Sequence, residues 1–99
     1  GSLIAFYDAS TGQILARVSN LGVSEGQVGE LWLIQDGAEA PVSLGLLQKA
    51  SSEGRLSFNV NYDIQLGKDA LAVSIEPLGG SKENGPTGPV VLVGVVDAI

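Results

Sequence analysis

Apolar residues recur at every second position in one segment of this chain after another. That spacing builds strands and is incompatible with an amphipathic helix. Leu56, Phe58 and Val60 alternate with Arg55, Ser57, Asn59 and Asn61, and Leu71, Val73 and Ile75 alternate with Ala72, Ser74 and Glu76. Val42, Leu44 and Leu46 follow the same rule less sharply against Ser43 and Gly45. Each pattern gives a strand one apolar face. The alternation therefore predicts that Leu56, Phe58, Val60, Leu71, Val73 and Ile75 share a core with Trp32. Two runs, 30–35 and 90–96, are apolar on both faces, which predicts central strands covered on each side. Segments 3–8 and 13–18 bring the strand count to about seven. No stretch carries a capped stripe of helical period, so little or no helix is expected.

The connections read as turns. Ala9-Ser10-Thr11-Gly12 and Ser51-Ser52-Glu53-Gly54 each end in a glycine suited to the left-handed position that closes a hairpin loop. Asp36-Gly37 opens another turn, and Pro41 precedes a strand, where no ladder donor is lost. With 99 residues, 44% of them hydrophobic, the chain is one domain with enough apolar material for its own core. The expected fold is all-β: an antiparallel two-sheet sandwich of immunoglobulin-like architecture spanning 1–99. Gly1-Ser2 reads as a cloning scar on a piece excised from a longer protein. One segment resists regular structure. Pro77 to Pro89 holds four glycines and three prolines in thirteen residues, and a loop of that length is expected to be functional.

Composition removes most chemistries. Histidine and cysteine are absent, which excludes Ser-His-Asp and Cys-His catalysis and the usual zinc, iron and copper ligand sets. Five Lys and Arg against eleven Asp and Glu give −6, and the cations are scattered, so nucleic acid and anionic lipid are not expected partners. The longest apolar run, around 90–96, is far shorter than the ~20 residues of a membrane span. Gly79-Gly80-Ser81-Lys82 lacks both the spacing and the following helix of a phosphate loop. Ser81 and Lys82, adjacent on an extended chain, point apart and do not make a nucleophile and base. Asp36 with Glu39, and Asp63 with Asp69, are read as solvated turn acids rather than a calcium site, which would take six to eight oxygens. Trp32, flanked by Leu31, Leu33 and Ile34, is read as core and not as a sugar-stacking platform. No enzyme, cofactor or metal is expected.

Two blocks, taken together, carry a resemblance. Glu30-Leu31-Trp32-Leu33-Ile34 leads through a turn to Pro41-Val42-Ser43-Leu44-Gly45. Leu71-Ala72-Val73-Ser74-Ile75-Glu76-Pro77 leads through Gly79-Gly80-Ser81 to Pro86-Thr87-Gly88-Pro89-Val90-Val91-Leu92. In that order, and with Asp8-Ala9-Ser10-Thr11-Gly12 between two strands, they resemble the C-terminal domain of RskA-type anti-sigma-K factors from about Ile4 to Val96. Gly29 stands where that family often has an aromatic, and Lys82 where proline is common. The resemblance implies an extracytoplasmic sensor or regulatory domain. A single transmembrane helix absent from this chain would tether it to the outer side of the inner membrane. The missing cytoplasmic domain would hold an alternative sigma factor, released by regulated proteolysis. Partners at this domain would then be proteins, a site-1-type protease or an envelope regulator. Gly79, Gly80, Ser81, Lys82, Glu83, Asn84 and Thr87 form the candidate interaction loop. The competing expectation is an extracellular ligand-binding or adhesion module, with carbohydrate or a cell-wall component meeting the same loop.

Overall fold

The alternating segments become strands where the pattern places them. In a computed structural model they are β1 (Ser2–Asp8), β2 (Gln13–Ser19), β3 (Gln27–Ile34), β4 (Val42–Leu47), β5 (Gly54–Asn59), β6 (Ala70–Pro77) and β7 (Val90–Ala98). The structure describes residues 1–47 and 63–98 in full and the backbone of 54–59, and no helix occurs among the described residues. Asp8 organises the β1–β2 turn. Its carboxylate accepts from the Ser10 hydroxyl at 2.6 Å and the Ser10 N–H at 3.0 Å, and Gly12 closes the loop at φ 73°. Those two Ser10 hydrogen bonds hold the Asp8 carboxyl below its ordinary value. Gly37 makes the corresponding left-handed turn, at φ 81°, between β3 and β4.

The expected pair of antiparallel sheets is corrected by the strand order. All seven strands form one hydrogen-bonded sheet in the order β4-β3-β6-β7-β1-β2-β5. It is mixed, because β1 runs parallel to β7 while every other pair is antiparallel. The cause is the length of β7. Its first residues, up to Val95, pair with β6, and Val96 to Ala98 run beside β1. One strand thus belongs to both halves, and they cannot separate into two layers. The sheet curls instead, so Ala5 and Ile14 from one half and Leu31 and Leu71 from the other meet in a single core.

Two further expectations are corrected. Leu71, Val73 and Ile75 do face the core, but Trp32 lies on the opposite face of the sheet. Leu31 and Leu33 take the inward positions of β3, and strand parity turns the indole between them outward. β3 is indeed covered on both faces, but β7 is not. Leu92 and Val96 face inward, whereas Val91, Val93 and Val95 are exposed. The inward placement expected for Leu56, Phe58 and Val60 lies outside the described residues.

Candidate functional site

Convex-face residues of β3 and β6 build the site. The antiparallel register sets Glu30 beside Ser74, Trp32 beside Ala72 and Val28 beside Glu76. An alternating strand normally gives such positions to solvent, yet Glu30, Trp32, Ser74 and Glu76 are all buried. The Pro77–Pro89 loop covers them and is fastened at each end by one of the two carboxylates.

Glu76 fastens the end that leads into β7. Its carboxylate accepts from the Thr87 hydroxyl, from the backbone N–H of Thr87 at 3.1 Å and of Gly88 at 3.2 Å, and from the Ser74 hydroxyl at 2.5 Å. Ser74 in turn accepts from the Trp32 indole N–H at 2.9 Å. A relay Trp32–Ser74–Glu76–Thr87 therefore ties strand to strand and strand to loop, with every donor satisfied. Burial pushes the Glu76 carboxyl upward, but the hydrogen bonds from Ser74, Thr87 and Gly88 outweigh it and hold the group below the usual glutamate range. Gly88 passes so close to β6 that a Cβ there would collide with the Ile75 carbonyl oxygen. The glycine is needed for space, not for a left-handed backbone.

Glu30 fastens the other end. One carboxylate oxygen accepts from the Ser81 N–H at 2.7 Å and the other from the Ser43 hydroxyl at 2.6 Å, which links β4 to the same acid. Gly80, at φ 87°, lets the chain approach: a Cβ would sit 2.7 Å from a Leu46 methyl and 2.8 Å from the Glu30 carboxylate. The loop stiffens itself above this point, with the Ser81 hydroxyl donating to the Gly85 carbonyl at 2.5 Å.

A third buried acid does similar work at the opposite end of the sheet. The Asp69 carboxylate accepts from the N–H groups of Asp36 at 3.0 Å and Gln65 at 2.8 Å, and its carbonyl receives the Val96 N–H at 3.2 Å. The three buried acids among the described residues are thus held by neutral donors, and they serve as loop anchors. Asp69, expected as a solvated turn acid, is instead buried and accepts from the Asp36 backbone N–H, whereas Asp36 itself is exposed as expected. Among the described residues no three acidic side chains converge to hold a metal ion.

The expected loop residues divide by role. Gly80, Ser81 and Thr87 are fastening points, Gly79 supplies a left-handed turn at φ 93°, and Lys82, Glu83 and Asn84 form the exposed tip. Between that tip and Ala40–Ser43 runs an open groove of about 400 Å³, floored by Glu30 and Trp32. Nothing in the alternation pointed to the anchoring roles of Glu30, Glu76, Ser74 and Asp69. The one signal available for Glu76 was its place beside a loop rich in small residues whose N–H groups can approach a carboxylate.

A family model described as anti-sigma-K factor RskA, C-terminal, matches residues 1–90. No curated protein and no solved structure matches the chain.

Proposed function

The chain belongs to the RskA family of anti-sigma-K factor C-terminal domains, and from that premise we propose that it is the extracytoplasmic regulatory cap of a membrane-tethered anti-sigma factor. In this reading a cytoplasmic part of the protein holds an alternative sigma factor, and one membrane helix outside residues 1–99 connects the two. The folded cap denies an envelope protease its cut until a signal displaces or unfolds it. The family match over residues 1–90 carries the proposal.

The loop fastening supports it. Proteases nick exposed, unfastened loops first, and the longest loop here is pinned by Glu30 at one end and Glu76 at the other. Between those two fastenings Lys82, Glu83 and Asn84 form an exposed tip that a protease or regulator can touch. The role is not enzymatic in this reading, because the hydroxyls of Ser43, Ser74, Ser81 and Thr87 already donate within the fold.

The test uses the full-length protein with a sigma-dependent reporter. Gly88→Val is expected to switch the reporter on without a signal, and deleting the membrane protease should silence it again. A silent reporter, in cells where the variant domain is shown to be unfolded by its tryptophan emission, overturns the cap.

A further inference from the structure

The loop that buries the convex face of β3 and β6 ends where it enters β7, and beyond that line the convex face is bare among the described residues. The strand registers lay out what is there. Ile34 pairs with Ala70, Ala70 with Val95, and Ile4 with Arg17. The parallel register of Ala5 with Val96 carries Ile4 alongside Val95. One row therefore runs across the sheet as Arg55, Arg17, Ile4, Val95, Ala70 and Ile34, with its charges at one end only. Ile4 is 48% exposed, Val95 50% and Ile34 41%. Val93, on the next row, is 64% exposed, and Phe6, on the row to the other side, is 41%. Ile4, Phe6 and Leu15 also line a shallow hollow of about 270 Å³ that ends at Arg17.

Scattered apolar residues on a surface need no explanation, but a contiguous band across central strands does. β1 and β7 are interior strands of the sheet with both edges already paired, so the band cannot be used by adding a strand. It fits a second sheet face laid against it at about 10 Å.

We propose that this face is a two-fold interface between two copies of the chain. Charge selects that occupant. The chain carries −6 and repels its own kind over most of its surface, whereas the band holds no charge. The charges that flank it are opposite in sign: Arg17 on β2, paired with Ile4 and beside Arg55 on β5, and Asp97 on β7, paired with Phe6. A two-fold axis lying in the plane of the band, crossing β1 between Ile4 and Phe6 and slanting toward Val93, sets Arg17 against the partner subunit's Asp97. The symmetry makes the same pair a second time. Such exposed pairs contribute little affinity but fix the register of approach. Anionic membrane is the poorer occupant, because the chain carries −6 and the cations beside the band, Arg17 and its register neighbour Arg55, stand at one end only.

Sedimentation equilibrium of the 99-residue chain, from about 10 μM to about 1 mM, tests the assignment. The mass should rise from monomer to dimer, and Val95→Glu should hold it at monomer. Val95 is half-exposed, so the variant should keep its melting temperature. Arg17→Asp should weaken association about tenfold, and adding Asp97→Arg should restore it. The proposal is overturned by a chain that stays monomeric throughout, by a dimer indifferent to Val95→Glu, or by a double charge reversal that fails to rescue. Binding to phosphatidylcholine vesicles by a monomeric chain, lost in Val95→Glu, would overturn it in favour of a lipid surface.

Discussion

The convex side of this sheet is finished in two different ways. Over β3 and β6 it carries two carboxylates, a serine and an indole, all buried under the chain's own thirteen-residue loop. Over β7 and β1 it carries valines, an isoleucine and a phenylalanine, all open. Intuition would reverse the assignment, with acids outside and valines covered. Polar groups can be covered by backbone because they bond the loop's N–H groups, and a loop has many donors that must find acceptors. A valine row offers a loop nothing to bond. It is suited to another apolar face, which no described residue of this chain supplies. The composition of a covered face therefore reports what covers it.

Lifting the loop from the acids should have the largest effect. In Gly88→Val the new side chain would meet the Ile75 carbonyl, and relief would pull away the two Glu76 contacts and the Pro89 carbonyl that accepts from Ile75 N–H. A loss of about 3 kcal/mol or more is expected in chemical denaturation, combining overpacking with unmade buried hydrogen bonds. A loss below about 1 kcal/mol would mean that the loop is not held at this point.

Glu76→Gln comes next, at about 2 kcal/mol, because an amide replaces charge-assisted acceptance and turns a donor toward donors. The carboxyl sits below its ordinary value in the fold. Its stabilisation is therefore complete above the unfolded value of about 4.3 and is lost as pH falls from there through the depressed native value. Denaturation of the native chain should weaken across that acid window, and the Gln variant should lose that part of the slope. Parallel pH profiles for the two proteins would show that Glu76 is not ionised in the fold.

These acids also mark the limit of what the sequence discloses. Strand positions were legible because period two is a local property: 55–61 and 71–76 each state it within one segment. Which face is covered is not local. Ser74 and Glu76 occupy the polar phase of an alternating strand, and only the return of a loop from positions 81 to 88 buries them. Trp32 sits in a run apolar at 31 through 34, so parity gave no direction for it. The parallel pairing of β1 with β7 joins segments some ninety residues apart with no hairpin to announce it, and that pairing makes one curled sheet of an expected two. Val93 and Val95 were misread for the same reason as Trp32, since an apolar run on both phases looks covered whether or not a cover exists.

Trp32→Phe is a milder probe of the covered side. It removes the 2.9 Å indole donor to Ser74 while keeping an aromatic ring under the loop. About 1 kcal/mol should be lost, because Ser74 still donates to Glu76 and only one hydrogen bond goes unmade. Calorimetry that finds no change would remove Trp32 from the relay.

The smallest effect belongs to the bare side. Val93 and Val73 lie on adjacent strands one step apart in register, Val93 beside Ala72 and Val73 beside Leu92. Val73 is fully buried on the concave face, whereas Val93 is 64% exposed on the convex one. Threonine preserves the shape and strand preference of valine and differs by a hydroxyl. In Val73→Thr that hydroxyl enters the core among Leu31, Leu71 and their neighbours, at a cost of roughly 1–3 kcal/mol. In Val93→Thr it meets solvent, and dilute monomer should change by less than about 0.5 kcal/mol. The contrast must be measured at low concentration, where any pairing of copies is absent. Equal losses at the two positions would show that the convex face of β7 is covered within the monomer, and the distinction between the two halves of the sheet would fall with it.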